Sequence, residues 1–511
     1  MRARPLGVAL LWAMCAAASP VAADEVRGGR VRLAGNRAEL VIALDGGAPV
    51  DWRACHPSCA RADAGSGSAL RFVTDGDPSP IRLIIRDLEP PIDPTALRYS
   101  AELSENELAR IVTLQADLPV AGARLVKTFE VPRDGYKIVM TARLEESSAP
   151  VFLSGARLEL ELSAGRGLLP LPAAGFAAML ERMSRVRVAG GAVREIGDDH
   201  GEPIMLREGD WIGFRSRFWT TLVRSDGASR VEPRPGVNAP LGMSDERRGP
   251  AWRYTFYAGP LERGALARAD PQLGRLVYSG LWFWLRPLSF GLLFLLRGLT
   301  ELIGHPGVAI IALAVSVKIL LSPLTAVAER LQEQVNVTQA RLQPGIDAIK
   351  AAYRGEERTR RTIELYREHG VHPLYTLKSL AGFLIQLPVF VAVFDMLAED
   401  FDLQRVSFLW IRDLARPDAL ARLPACVPFF GCDLNLLPFL MSGVSLATLL
   451  RFRSAVLTPP LVRRQRRNLM VITAVFFLLF YTFPASMVLY WTSTNSFQLL
   501  SQELGRWWRR E

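Results

Sequence analysis

The stretch GVAIIALAVSVKILLSPLTA, residues 307 to 326, is apolar for long enough to cross a hydrocarbon layer about 30 Å thick, apart from the ammonium group of Lys318. Lipid offers no partner for backbone N–H and C=O groups, so a chain carrying such a stretch is confined there to a helix. Four more apolar stretches follow, and the spans expected are 305–327, 378–398, 435–452, 468–484 and 486–504. Several are short or polar for spans.

Charge orients them. Residues 328–372 are rich in Lys and Arg, residues 453–467 hold Arg463, Arg464, Arg466 and Arg467, and the tail holds Arg506, Arg509 and Arg510. Positive loops stay in the cytoplasm, whereas residues 399–434 and the neighbourhood of Pro484 lack that excess. The alternation then places everything before the first span outside. Residues 1–23 fit this, with Arg2 and Arg4 ahead of an apolar run and the small residues Val21 and Ala23 at its end. A cleaved signal peptide and an uncleaved signal anchor both fit. Trp12 and Met14 are too bulky for Cys15 to be a lipoprotein site.

The exported region reads as β. RAELVIAL, IRLIIRDL, RIVTLQADL, ARLVKTFEV, YKIVMTARL and ARLELEL alternate or run apolar, with turns such as Pro132 to Gly135 between them. Strands without intervening helices imply an antiparallel sandwich. Two close cysteine pairs, Cys55 with Cys59 and Cys426 with Cys432, fall on the outer side, where local disulfides are expected. His56 between the first pair raises a metal reading, but two thiolates and one imidazole are an incomplete set, and no metal site is expected.

After the β region, Arg286 and Arg297 lie eleven residues apart, close to three helical turns, while Trp282, Phe283, Phe290 and Phe294 spread elsewhere. That pattern suits a helix lying in the interface with snorkelling arginines; a tilted span is the alternative. In 328–372, Val335, Leu342, Ile346, Ile349 and Tyr353 recur at helical spacing, and Ile363 and Tyr366 continue it after Gly355. Two antiparallel helices are expected, with Arg354, Arg358 and Arg361 as a docking surface.

Polar groups mark the membrane part. Lys318, Ser322 and Thr325 are spaced i, i+4, i+7, as are Trp491, Asn495 and Gln498, with Gln386 on another span. A central Lys costs about 2.5 to 3.5 kcal/mol on insertion scales, so it should face protein or water. Only Asp395, Glu399 and Asp400 approach a span interior, near an outer end, and the pattern suggests Lys318 as an unpaired cation in a wet cavity, with snorkelling toward the inner headgroups as the alternative. Ion-coupled transport normally requires an intramembrane carboxylate, and the pattern does not supply one. The sequence has no Walker loop, no G-x-S-x-G elbow and no H-E-x-x-H motif, and the DDHGEP segment at His200 reads as a solvated loop.

LVKTFEV and YTFYAGP, LWFWLRPL, SVKILLSPLT, ARLQPGIDAIKAAY, FLIQLPVFVAVFDML and FPASMVLYWTSTNSFQLLSQ occur in that order. Together they resemble the YidC/Oxa/Alb family of membrane protein insertases, in its Gram-negative form with a large periplasmic domain. The resemblance implies an α-helical polytopic membrane protein of the bacterial inner membrane. It would have a five-helix insertase core, an N-terminal signal anchor or signal peptide, an all-β periplasmic supersandwich and a cytoplasmic C-terminus. It also implies a hydrophilic groove open to cytoplasm and lipid but closed toward the periplasm. Lys318 falls where the family commonly has Arg. His372, Pro373 and Leu374 keep part of the family's entry to the next span, while Lys378 departs from it.

On this reading the chain divides into 1–23, the signal segment; 24–272, the β domain; 273–303, the interfacial helix; 304–504, the membrane core, which includes the hairpin 328–372; and 505–511, the basic tail. The groove would comprise Lys318, Ser322, Thr325, Gln386, Tyr490, Trp491, Asn495 and Gln498, and would hydrate a polar tail of a client on its way into lipid. No cofactor, no covalent chemistry and no specific nucleic-acid site are expected. The partners implied are nascent integral membrane proteins, membrane lipids, and the Sec translocon, ribosome and targeting factors. A transporter or channel using the same stripes, and a membrane-anchored carbohydrate-active enzyme, are the rival readings.

Overall fold

The computed structural model describes residues 25–65, 67–86, 92–119, 122–146, 157–170, 172–197, 202–246, 250–372, 374–451 and 459–507. The expected signal segment 1–23, His200, and Arg509 and Arg510 lie outside the described residues.

Alternation along the strands produces the β unit. Ala123–Pro132 buries every second side chain, and pairing with Lys137–Glu146 sets Leu125 against Leu144 and Phe129 against Met140 on one face. A nine-stranded sheet is built outward from this pair, and all its neighbours are antiparallel, from Ala192–Ile196 at one edge to Ser100–Glu105 at the other. Two five-stranded sheets complete it. Trp52, in the first of them, meets Phe256 of the large sheet edge-on at 6.1 Å, and Phe72 at 5.9 Å. The short helices α1 (Cys59–Asp63) and α2 (Arg263–Ala269) flank the sheets. Cys55 is joined to Cys59 across the first turn of α1.

Residues 271–285 form a 3₁₀ turn and further turns, and helix α3 (Arg286–Ile303) begins only where Pro287 suits a first turn. The helix is therefore shorter than the expected 273–303, and its two arginines are held by protein acceptors. The Arg286 guanidinium donates to the carbonyls of Leu281 at 3.0 Å and Ser279 at 2.9 Å, and Arg297 pairs with Asp400 at 2.6 Å and with Asp402. The exposed groups are the rings of Trp282, Phe283, Trp284 and Phe294.

Helix α4 (Pro306–Ala352) is one rod of 47 residues, about 70 Å long, so the first span and the first arm of the hairpin are continuous. Among the described residues it is the one helix long and apolar enough to cross a membrane by its own composition. Helix α5 (Gly355–Glu368) folds back with Leu365 against Gly345. The bundle is completed by α6 (Ala381–Glu399), α7 (Leu437–Arg451), α8 (Pro459–Phe480) and α9 (Ala485–Trp507). Helix α8 starts nine residues ahead of the expected span and takes in Arg463, Arg464, Arg466 and Arg467, while 481–484 form the turn into α9. Between α6 and α7 a two-stranded hairpin, Ala421–Val427 with Gly431–Leu434, carries the Cys426–Cys432 disulfide.

Candidate functional site: a polar seam along α9

Trp491, Asn495 and Gln498 share one face of α9 because helical spacing stacks i, i+4 and i+7. That face opens on a cavity of about 230 Å³ between α7, α8 and α9, whose polar wall is Ser445, Thr448, Thr473, Asn495 and Gln498. The Asn495 amide donates to the Ser445 hydroxyl at 3.1 Å, tying α9 to α7. Trp491 stacks on Phe476 at 5.3 Å and on Phe480 at 5.8 Å, and meets Phe390 of α6 edge-on at 5.1 Å.

Lys318 approaches α9 from α4, and its ammonium donates to the Gln498 side-chain carbonyl at 3.3 Å. Gln498 thus touches both the cation and the cavity. The other polar groups of the expected groove are placed differently. Ser322 is exposed on α4, the Thr325 hydroxyl donates to its own helix at Leu321, and Gln386 is half-buried on α6. None of the three lines the cavity. The structure thus brings Trp491, Asn495 and Gln498 to one cavity on α7, α8 and α9, with Lys318 linked to it from α4.

Tyr490 lies apart from this cavity. It is buried in a ring layer with Phe390, Phe394, Phe480 and Phe483, where contacting rings have centroids 5.2 to 6.4 Å apart. This layer closes the bundle on the side of the α8–α9 turn.

On the hairpin, the Arg361 guanidinium binds Glu357 at 3.0 Å and Glu364 at 3.4 Å and lies 5.5 Å from the centre of the Tyr353 ring. Arg354 caps the start of α5, and Arg358 is exposed.

The sequence reading missed how the β domain is fastened to the bundle. Arg215 pairs with Glu399, whose other carboxylate oxygen accepts from the Tyr278 backbone N–H at 3.0 Å. Arg217 donates to the Ala398 carbonyl at 2.8 Å. Phe401 packs edge-on against Trp219 at 5.0 Å and against His56 at 4.8 Å. Arg215 at the end of a buried strand and Arg217 in the turn after it, with Glu399 at the end of an apolar helix, were the available signal.

The chain thus combines a β-sheet-rich domain with a helical C-terminal region, in which one described helix is long and apolar enough to cross a membrane. Residues 298–506 match the family model described as 60Kd inner membrane protein. Curated relatives carry the name membrane protein insertase YidC. The protein of Syntrophobacter fumaroxidans is 31% identical over 257 residues, 49% of this chain and 43% of that one. That of Cellvibrio japonicus is 32% identical over 313 residues, 58% and 51% of the two chains. That of Stutzerimonas stutzeri is 24% identical over 432 residues, 79% and 71%. The aligned region thus spans about half the length of the first two relatives. A crystal structure described as an active YidC insertase covers 94% of this chain and 93% of its own at 16% identity, with a TM-score of 0.35 that is too low to bear on any residue.

Proposed function

We propose that the chain is a membrane protein insertase of the bacterial inner membrane. Five helices, α4 and α6 to α9, would span the bilayer, with the β domain in the periplasm and the α4–α5 hairpin and C-terminus in the cytoplasm. Charge bias supports this orientation, since Arg463 to Arg467 and the hairpin arginines occupy one side by the alternation of spans. The curated relatives' name supports the activity.

The observation that carries the reading is the Lys318–Gln498 contact beside the polar cavity. A client entering from the cytoplasm would exchange bulk water for the amides and hydroxyls of Asn495, Gln498, Ser445 and Thr473, with Lys318 attracting an acidic tail. Its apolar residues would then pass the Phe390, Phe476 and Trp491 rings into lipid. Burying about 20 apolar residues supplies the drive, so neither cofactor nor covalent step is needed. Nascent integral membrane proteins are the clients. Arg354 and Arg358 present cationic surface to a ribosome or targeting factor, and the Sec translocon is a partner for longer clients.

The test is reconstitution of the purified protein in liposomes with a single-span client bearing a short acidic tail. Native protein and Lys318→Arg should insert it and Lys318→Ala should lose most of that activity. Unchanged insertion by a stable Lys318→Ala protein would remove Lys318 from the mechanism, and insertion no better than empty liposomes, with a working control insertase, would sink the insertase reading.

A further inference from the structure

The largest cavity that borders both units lies between the β domain and the outer ends of the helices, and has a volume of about 570 Å³. Its walls include Arg217 and Glu181 from the β domain, Arg416 from the segment after α6, Arg422 and Asp433 from the hairpin, and Thr482 from the α8–α9 turn. A smaller adjoining cavity of about 170 Å³ shares Glu181, Arg217 and Arg416 and adds Arg405 and Asp413. Four arginines thus face three carboxylates.

The arginines are unequally satisfied. The Arg217 side chain is only 6% exposed; its Nε donates to Ala398 and its Nη1 to Glu181 at 2.7 Å. Its Nη2 is buried with no hydrogen-bond acceptor among the described residues. A buried guanidinium donor left without an acceptor costs about 1 to 3 kcal/mol, more when charged, so an anion or water completing it is favoured. Arg416 is 65% exposed and reaches Asp413 only at 3.6 Å, which leaves its charge largely available.

The rim differs in character. Phe176 of the β domain meets Phe429 at the hairpin tip edge-on at 5.2 Å, and Phe176, Met179, Val427 and Phe429 are all exposed, Met179 by 74%. The Ala177 N–H donates to the Thr482 hydroxyl at 3.3 Å, so this apolar rim is fixed to the turn between two helices. Helix ends at a membrane surface lie at headgroup depth, where phosphate and the first methylenes meet.

We infer that this cavity binds the phosphodiester of an anionic phospholipid, with Arg217, Arg416 and Arg422 around the phosphate and the Phe176–Phe429 rim against its acyl chains. Bidentate guanidinium geometry suits phosphate, and the apolar rim has no use for a free phosphate ion. The site rests on the periplasmic placement of the β domain proposed above and is independent of insertion activity. A bound lipid would add a further link between the β domain and the bundle, beside the Arg217–Ala398 and Ala177–Thr482 contacts.

Native mass spectrometry of the full-length protein in detergent, titrated with phosphatidylglycerol, phosphatidylcholine or inorganic phosphate, tests this without any client. One phosphatidylglycerol should be retained per chain, and retention should fall at least tenfold in Arg217→Gln and in the double variant Arg416→Gln/Arg422→Gln. The surface pair guards against loss of folding at Arg217. Millimolar inorganic phosphate should not displace the lipid, and phosphatidylcholine should bind more weakly. Equal retention in native and double-variant protein would overturn the assignment, as would phosphate binding at the site with no lipid retained.

Discussion

Arg297→Gln isolates the electrostatic part of the contact between α3 and the end of α6. Asp400, 3% exposed, receives Arg297 at 2.6 Å and the Asp402 N–H at 3.3 Å, and its side chain starts the 3₁₀ turn that places Phe401 in the interface. Burial pushes the Asp400 carboxyl above the usual range, and Arg297 opposes that rise. Removing one partner of a buried pair costs about 3 to 5 kcal/mol, but Arg297 is 36% exposed, which screens the pair and reduces the expected loss to about 2 to 3 kcal/mol at neutral pH. The sign with pH follows from linkage. A carboxyl whose folded pKa lies above its unfolded value makes the folded state hold more protons, so that contribution is present at low pH and is lost as pH rises through the folded pKa. Without Arg297 the folded pKa moves higher still, and the gap between variant and native protein should widen with pH by up to about 1.4 kcal/mol per unit. Thermal melts of the detergent-solubilised full chain should show the variant near native at pH 5 and lower by about 5 °C or more at pH 8. The double variant Arg297→Gln/Asp400→Asn should recover most of the loss, because no charge is left buried. A pH-independent deficit, or a double variant worse than the single, would refute the reasoning.

Two further outcomes follow from buried positions. Lys127 sits on the core face of its strand, donates to the Gly46 and Gly47 carbonyls at 3.2 Å and lies 4.4 Å from the Tyr99 ring centre, and burial pushes its ammonium down to about 7 from 10.5. Because the unfolded chain then binds more protons between pH 7 and 10.5, stability should rise from pH 7 to 9 by up to about 1.4 kcal/mol per unit, and Lys127→Met should flatten that slope in buffered thermal melts; equal slopes would contradict it. A Cβ on Gly307 would lie 2.4 Å from the Phe408 ring, so Gly307→Ala should lower stability in the same assay by about 1 to 3 kcal/mol, and a neutral result would mean the ring swings away freely.

The β unit was legible because half-buried strands must alternate, and YKIVMTARL keeps its apolar residues on one face when paired with ARLVKTFEV. Lys127 shows the limit of that rule: its place in the alternation points inward, and only the loop carbonyls opposite, 80 residues away in sequence, make the position tenable. The helices after residue 305 were legible as apolar runs, but not their ends. Four arginines seemed to exclude residues 459–467 from a span, and they do not exclude them from the helix that starts at Pro459. The docking contacts were out of reach because Arg215 and Glu399 are 184 residues apart and no local period links them. The polar stripe on α9 was readable from spacing alone. Its division from α4 was not, since spacing gives the face of a helix and not which neighbour that face meets.

That division clarifies why a lysine is tolerated at position 318. Gln498 offers the ammonium one neutral oxygen at 3.3 Å, and no carboxylate lies in salt-bridge range among the described residues. A neutral hydrogen bond of this kind is worth about 1 kcal/mol net, whereas a carboxylate about 4 Å away at an effective dielectric of 20 is attracted by about 4 kcal/mol before its own desolvation. An internal Asp or Glu would consume the charge permanently. An amide steadies the lysine, orients it toward the cavity wall that Gln498 also forms, and is weak enough for an arriving acidic group to displace. On the proposed insertase reading, the same amide would return to Lys318 when that group has left, and the neutrality of Gln498 matters as much as the charge of Lys318.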